Sequence, residues 1–425
     1  MLQKLFPVFL FLAFVSRAQQ PCINGRFGNS EVFVPAQLRI DTGIIYAKAQ
    51  NPFTGRRESL KLDIYYPRMT QDTMRSRPII LLVHGGGFET GSRLDEDYFC
   101  REYAKRGYVA ATIDYRLGWG CSSLNDPCGF CVSDSSALRT ATYMAVQDCR
   151  SALHFIARNA NSWHIDPQQV FLFGTSAGSI AAMLSVAWNQ ERANAFAPGA
   201  EALLGPLDLP GGNAVMSAYT VRACCDFCGA LAGDSLSADA LAVPVISFHD
   251  EYDCMVPYVQ GSIFCGCHSF YRCTGPRQIF HSLQARGICA SLNTVPGSSE
   301  HCSYPAENLL LRSTCFFKRL LCGECPADTS STITTGSECD SLGTEARPAA
   351  DSSTQGHLYY PEKRMPQTGF PGNEVQEGQS LRQSSFCPLS RKIPPGANPV
   401  PAECCLLACN SADGEKTSCA AFARA

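Results

Sequence analysis

The residues of this chain whose types and spacing could do chemistry gather around one serine. In "FLFGTSAGSI" (171–180), Ser176 follows an apolar run and has Gly174 and Gly178 two positions to either side. A strand that turns this sharply into a helix holds its central residue in strained backbone geometry and lifts the side chain clear of the sheet. Side chains at 174 or 178 would collide with the neighbouring elements. The N-terminus of the helix that follows favours negative charge as it develops at the hydroxyl. A serine hydroxyl is a poor nucleophile without a base, and the base needs an orienting acid. Asp250, Glu251 and Asp253 follow the apolar "VPVISFH" (243–249), and His268, His281 and His301 lie beyond them. "VHGGGFETGS" (83–92) adds three consecutive glycines after another apolar run. Such a backbone exposes N–H groups where an oxyanion could form, each donor worth roughly 10²–10³ in rate. Alone, a GxSxG is as readily a plain glycine-rich turn; the glycine loop makes the chemical reading the better one.

Together these stretches resemble the HGGG-containing carboxylesterases of the α/β-hydrolase superfamily, and within that group the secreted bacterial esterases of the acetyl-xylan/feruloyl type. The segments that carry the resemblance are "LKLDIYYP", "VHGGGFETGS", "RGYVAATIDYRLG", "NSWHIDPQQVFLFGTSAGS" and "FHDEYDCMVPY", spread over residues 40–320. The resemblance implies hydrolysis of carboxylic esters through an acyl-enzyme, with no cofactor. It implies Ser176 as nucleophile, Asp253 rather than Asp250 as the acid, and His301 as the base. The N–H groups of Gly86, Gly87 and Ala177 would then form the oxyanion hole. On this reading Asp250 and Glu251 cap their turn, His268 and His281 are surface residues, and His84 and His249 support the glycine loop and the acid turn. His164 stands where relatives carry a small residue, with no catalytic consequence expected.

The elements that must position these groups alternate along the chain. Residues 43–49 and 58–66 read as an antiparallel pair, and "PIILLV" (78–83) as a strand buried on both faces. A helix over "DEDYFCREYAKRG" leads to the strand "YVAATIDY" (108–115), and "SALRTATYMAVQDCRSALHFIARNAN" has the spacing of a long helix. "VFLFG" and "VPVISFH" are further strands, "GSIAAMLSVAW" a helix. A helix near 276–286, a strand around 288–295 and a last helix at 305–321 complete the body. The expected class is α/β, an α/β-hydrolase fold with a mostly parallel central sheet flanked by helices. Only 76 residues separate Ser176 from Asp253. That leaves no room for a large lid and implies a shallow pocket, with Phe88, Trp119 and Tyr258 adjoining the motifs as candidate substrate-binding residues. Residues 19–325 form the expected catalytic domain. In 326–425 only 13 of 100 residues are Leu, Ile, Val or Phe, too few to offset chain entropy, so this tail is expected to be disordered.

The N-terminus has Lys4, an apolar run from Leu5 to Val15 and Ser16-Arg17-Ala18, the pattern of a secretory signal over residues 1–18. The run is too short for a transmembrane span, and the expectation is a secreted or periplasmic protein. A net charge of −3 offers no basic surface for nucleic acid. The 24 cysteines suit an oxidising compartment. Pairs such as "CGFC" (128–131), "CCDFC" (224–228) and "CGEC" (322–325) could hold zinc; export favours disulfides, and no metal is expected. Asp253 and His301 must approach for a triad to work, and each is followed by a cysteine, so a Cys254–Cys302 disulfide is expected, with Cys254–Cys265 as the competing pairing. A peptidase of the same fold and a non-catalytic binding or adhesion protein are the rival functions. The partner expected is a small or polymer-linked ester; the oligomeric state is left open.

Overall fold

The computed structural model describes residue 22 and residues 25–120, 135–208, 217–233, 240–266, 270–325 and 330–332. The signal segment, the "CGFC" pair, His268 and nearly all of the region after Cys325 lie outside the described residues.

A hairpin of β1 (Leu38–Asn51) and β2 (Arg56–Pro67) opens the sheet, and β2 continues antiparallel onto β4 (Val109–Ile113). From β4 the sheet is parallel through β3 (Arg77–Val83), β5 (Ile165–Thr175), β6 (Val221–Phe227), β8 (Val245–Asp250) and β11 (Ala290–Val295). Three short strands, β7 (Leu231–Ala232), β9 (Gln260–Ser262) and β10 (Arg272–Thr274), make a separate small sheet. Residues 78–83 of β3 and 170–174 of β5 are apolar throughout because both faces of the sheet are covered. Ile79, Leu81, Val83 and Leu172 face helices α2 (Ser135–Arg158), α3 (Ala177–Ala187) and α4 (Pro276–Ala285). Ile80, Leu82, Phe171 and Phe173 alternate with them and face α1 (Asp97–Lys105) and α5 (Ala306–Leu321). This is the α/β-hydrolase fold. The loops that leave the carboxyl ends of β3, β5, β6, β8 and β11 converge at one edge, where open α/β sheets build their sites.

Three features go beyond the sequence reading. The first four residues of "CCDFC" belong to the central strand β6. Cys224 and Cys225 are free, fully buried thiols pointing into opposite cores. An unbridged cysteine packs as a small apolar residue, so period-two burial outweighs the cluster signal. Next, a short strand lies beyond Cys325. Ser330–Thr332 forms β12 and pairs in parallel with β11, whose outer edge otherwise presents open backbone groups. Finally, the two cysteines of "CGEC" do not bridge to each other. Cys322 joins Cys22 and Cys325 joins Cys289, fastening the far ends of the body. Among the described residues between Ser176 and Asp253 there are α3, short helical segments and strands, with no domain-sized insertion.

Candidate active site

Ser176 links β5 to α3 with φ 53° and ψ −119°, a backbone that only a tightly determined turn imposes on a side-chain-bearing residue. Its N–H is held by the Phe227 carbonyl of β6 at 2.8 Å. The flanking glycines are steric requirements: a Cβ on Gly174 would lie 2.3 Å from Ser179 Cα, and one on Gly178 would lie 2.1 Å from the Val83 carbonyl oxygen. The loop after β3 passes beside the turn, so that a Cβ on Gly85 would sit 3.3 Å from Ser176 Cβ.

His301 bridges Ser176 and Asp253. Its Nε2 is 2.8 Å from Ser176 Oγ and its Nδ1 is 2.7 Å from Asp253 Oδ2. Asp253 is buried, and its Oδ1 accepts from the N–H groups of Met255 (2.8 Å) and Val256 (3.1 Å). Burial alone would raise its pKa, but hydrogen bonds from His249 and His301 and their positive charge bring it down to about 2. His249 Nε2 lies 2.9 Å from the Val256 carbonyl oxygen and 3.3 Å from Asp253 Oδ2, behind the acid.

Asp250, the sequence's alternative acid, lies elsewhere. It accepts from the Ser303 N–H at 2.9 Å and from the Ser303 hydroxyl, while Glu251 accepts from the Gly297 N–H. Both carboxylates therefore bind the histidine loop to the acid turn, where the sequence suggested local caps. The fragment "HDEYD" marks all three acids but not their division of labour. His281 is exposed on α4, and His164 closes a short helical turn in left-handed conformation, so neither reaches the site.

The glycine loop has fixed peptide planes. The Gly85 carbonyl lies 2.8 Å from His84 Nδ1 and accepts from the Tyr115 hydroxyl at 3.3 Å; the Gly86 carbonyl accepts from the N–H groups of Glu89 and Thr90. Each carbonyl shares a plane with the next N–H, which must point the opposite way. The N–H groups of Gly86 and Gly87 donate to no protein acceptor among the described residues. Ala177 N–H belongs to the first turn of α3, which has no intrahelical acceptor. Buried His84 stacks on Tyr115 at 4.3 Å, and burial lowers its pKa, keeping it neutral. Tyr115, within the quoted "IDYRLG", is a supporting residue that sequence reasoning missed.

The aromatic candidates divide differently than expected. Phe88 (1% exposed) and Trp119 (0%) are core residues and present no surface to a substrate. Trp119 donates its indole N–H to the Gly87 carbonyl and its backbone N–H to Glu89, and it stacks on Phe264. It supports the loop from behind. Tyr258 is half-buried, with its hydroxyl 2.8 Å from Thr294 Oγ1.

The expected Cys254–Cys302 disulfide is corrected. Cys302 pairs with Cys228 at the end of β6, and Cys254 pairs with Cys265. The Asp253–His301 approach does not bring their successors together, because Phe264 N–H and Cys265 N–H bind back to Met255 and Cys254 carbonyls and carry Cys265 to Cys254. Cys302 faces β6 instead.

Comparison with known proteins gives partial-length similarities. A neuroligin-like protein of Caenorhabditis elegans is 33% identical over 129 residues, 30% of this chain and 16% of its own length. Gut esterase 1 of Caenorhabditis briggsae is 30% identical over 182 residues, 40% of this chain and 30% of its own length. The chain thus spans less than a third of these curated relatives. Among solved structures, esterase 2 of Thermogutta terrifontis, phosphorylated by paraoxon, aligns with a TM-score of 0.44 at 20% identity, covering 68% of this chain and 96% of that one. Residues 40–197, from β1 to just past the serine-bearing helix, match the profile of the carboxylesterase family.

Proposed function

We propose that this protein is an exported serine carboxylic-ester hydrolase, acting on short-chain esters or on acetyl and feruloyl groups linked to polysaccharide. The observation that carries the reading is the unbroken chain from Ser176 Oγ through His301 to Asp253, at 2.8 and 2.7 Å. His301 Nε2 takes the Ser176 proton as Oγ attacks the acyl carbon. The oxyanion then forms against the N–H groups of Gly86, Gly87 and Ala177. Asp253 keeps the Nδ1 proton in place and stabilises the imidazolium. Proton return to the leaving alcohol frees the acyl-enzyme, and water activated by the same imidazole hydrolyses it. Every step uses this chain's own residues. Similarity to a neuroligin-like protein favours an adhesion role as the second reading. A binding scaffold, however, needs neither a strained serine nor paired donors facing it.

The test is hydrolysis of p-nitrophenyl acetate, with an organophosphate as covalent label. Turnover, and a single phosphoryl adduct that maps to Ser176 and disappears in Ser176→Ala, is the expected result. Undiminished turnover by Ser176→Ala would sink the assignment, and no turnover on any ester would favour the adhesion reading.

A further inference from the structure

We propose that Cys228, Cys302 and His301 form, once the disulfide is reduced, a binding site for a thiophilic divalent cation such as zinc or cadmium, and that occupancy silences the active site. The silencing, though not the binding, rests on the reading of His301 as the catalytic base. The two sulfurs and an imidazole nitrogen all lie within 4.8 Å of one another. A tetrahedral zinc ion with bonds of ~2.3 Å to sulfur and ~2.0 Å to nitrogen needs donors ~3.5–3.8 Å apart. The imidazole therefore has only a short way to close, and the sulfurs, freed from their bond, separate to that spacing. The Cα atoms of the two cysteines are 5.2 Å apart, which leaves their side chains room to do so. Two thiolates and a neutral imidazole make a donor set that zinc proteins use.

Hydrogen bonds hold the backbone of the site alongside the disulfide. Cys228 N–H is held by the Phe248 carbonyl at 2.8 Å. One residue beyond Cys302, the Ser303 N–H and hydroxyl are held by Asp250. Cys228 and Cys302 both have left-handed backbone, φ 51° and 60°, which side-chain-bearing residues keep only where the surroundings impose it. Cys228 is buried while His301 and Cys302 are partly exposed, so a cation can enter from the solvent side.

The chemistry balances with an external dithiol. One of its thiolates attacks a sulfur of the Cys228–Cys302 bond, and the second closes the reductant's own disulfide ring and releases two protein thiols. The cation then displaces both thiol protons. It also occupies a lone pair that catalysis needs. Bound at Nε2 it blocks proton transfer from Ser176, and bound at Nδ1 it displaces the proton donated to Asp253.

The full chain would be reduced with dithiothreitol, desalted without oxygen and titrated with cadmium and with zinc. Sulfur-to-cadmium charge-transfer absorbance and p-nitrophenyl acetate hydrolysis would be read in parallel, with Cys228→Ser/Cys302→Ser, treated identically, as the spectral baseline. Three results are expected: one additional cadmium per wild-type chain over the double variant, zinc inhibition on the order of 100-fold stronger than in the oxidised protein, and recovery on chelation. His301→Ala, followed by absorbance alone, should bind cadmium roughly tenfold or more weakly. Equal cadmium binding by wild type and double variant would overturn the site. So would bound cadmium that leaves hydrolysis untouched, or a reduced chain that loses its near-ultraviolet circular dichroism, since no folded dithiol would then exist. A chain with no esterase activity in any state would instead count against the enzymatic reading, and the absorbance titration would still decide the site.

Discussion

Replacing Asp253 with asparagine should abolish the proposed ester hydrolysis by forcing the wrong proton arrangement on His301 while leaving the fold in place. Oδ1 accepts two backbone N–H groups, from Met255 and Val256, and Oδ2 accepts from His301 Nδ1. An asparagine amide can serve the two backbone donors only with its oxygen, so its NH₂ must face His301. The imidazole then has to accept at Nδ1 and carry its proton on Nε2, the atom 2.8 Å from Ser176 Oγ. A protonated Nε2 cannot take the serine proton. Loss of the correct tautomer in such a triad costs about 10⁴ in kcat, or ~5.4 kcal/mol of transition-state stabilisation. KM should change little, because the carboxylate lies behind the imidazole, away from substrate. The assay is steady-state hydrolysis of p-nitrophenyl acetate, with thermal melts as the control for folding. Asp250→Asn retains an acceptor for Ser303 and should lose far less. If Asp253→Asn kept a tenth of the wild-type kcat, or if Asp250→Asn were the worse variant, the assignment of the acid would be wrong.

Burial raises the Glu96 carboxyl to about 7, one hydrogen bond behind the serine turn through Thr175. A folded pKa above the unfolded one means stability falls as pH rises from about 4.5 through 7. Glu96→Gln should therefore raise the melting temperature at pH 8, by up to ~3 kcal/mol of stability, and leave it unchanged at pH 4.5; a gain equal at both pH values would refute this. The Asp253 carboxyl, held at about 2, has the opposite sign. Its contribution, roughly 2–3 kcal/mol, is present above pH 4 and lost as pH falls through 2, so the stability gap between wild type and Asp253→Asn should narrow in that window. Trp119→Phe leaves the half-buried Gly87 carbonyl without its indole donor, at a cost of ~1 kcal/mol. It should lower kcat more than it raises KM, and a pure KM effect would make Trp119 a substrate contact after all. With no domain-sized insertion among the described residues between Ser176 and Asp253, acyl chains beyond butyryl should add far less than the ~0.8 kcal/mol per methylene of full burial. A kcat/KM that climbs steadily to palmitoyl would contradict the expected shallow pocket.

What the sequence disclosed depended on how local the constraint was. The serine turn could be read because its steric demands are met within five residues, and the glycine loop because its backbone needs are equally local. Strand β5 announced itself as an apolar run. Strand β6 did not, since "VRACCDF" mixes two charges and two cysteines, and only the cores on both sides show that the thiols pack as apolar groups. The disulfide partner of Cys302 was hidden for a related reason. Adjacency to paired residues suggests proximity, but side-chain direction is set by the loop from Met255 to Cys265, which the sequence leaves unspecified. Trp119 looked like a pocket residue by its place beside the motifs. Its role became visible only once three-dimensional packing put Phe264 against its ring and the Gly87 carbonyl at its indole nitrogen.

The free thiols of β6 set an order of events for biosynthesis. Cys225 is three residues from Cys228, close enough to form a small ring, and Cys224 is next to it. Either bond would tear β6 out of the middle of the sheet and leave Cys302 without a partner. Thiolate exchange needs access to solvent, and the native positions of Cys224 and Cys225 deny it, since both are sealed in opposite cores. Collapse of the central strands must therefore outrun oxidation. A chain refolded by slow dilution under reducing conditions and oxidised afterwards will reach the native bonds, whereas one oxidised while still extended will be caught in scrambled isomers.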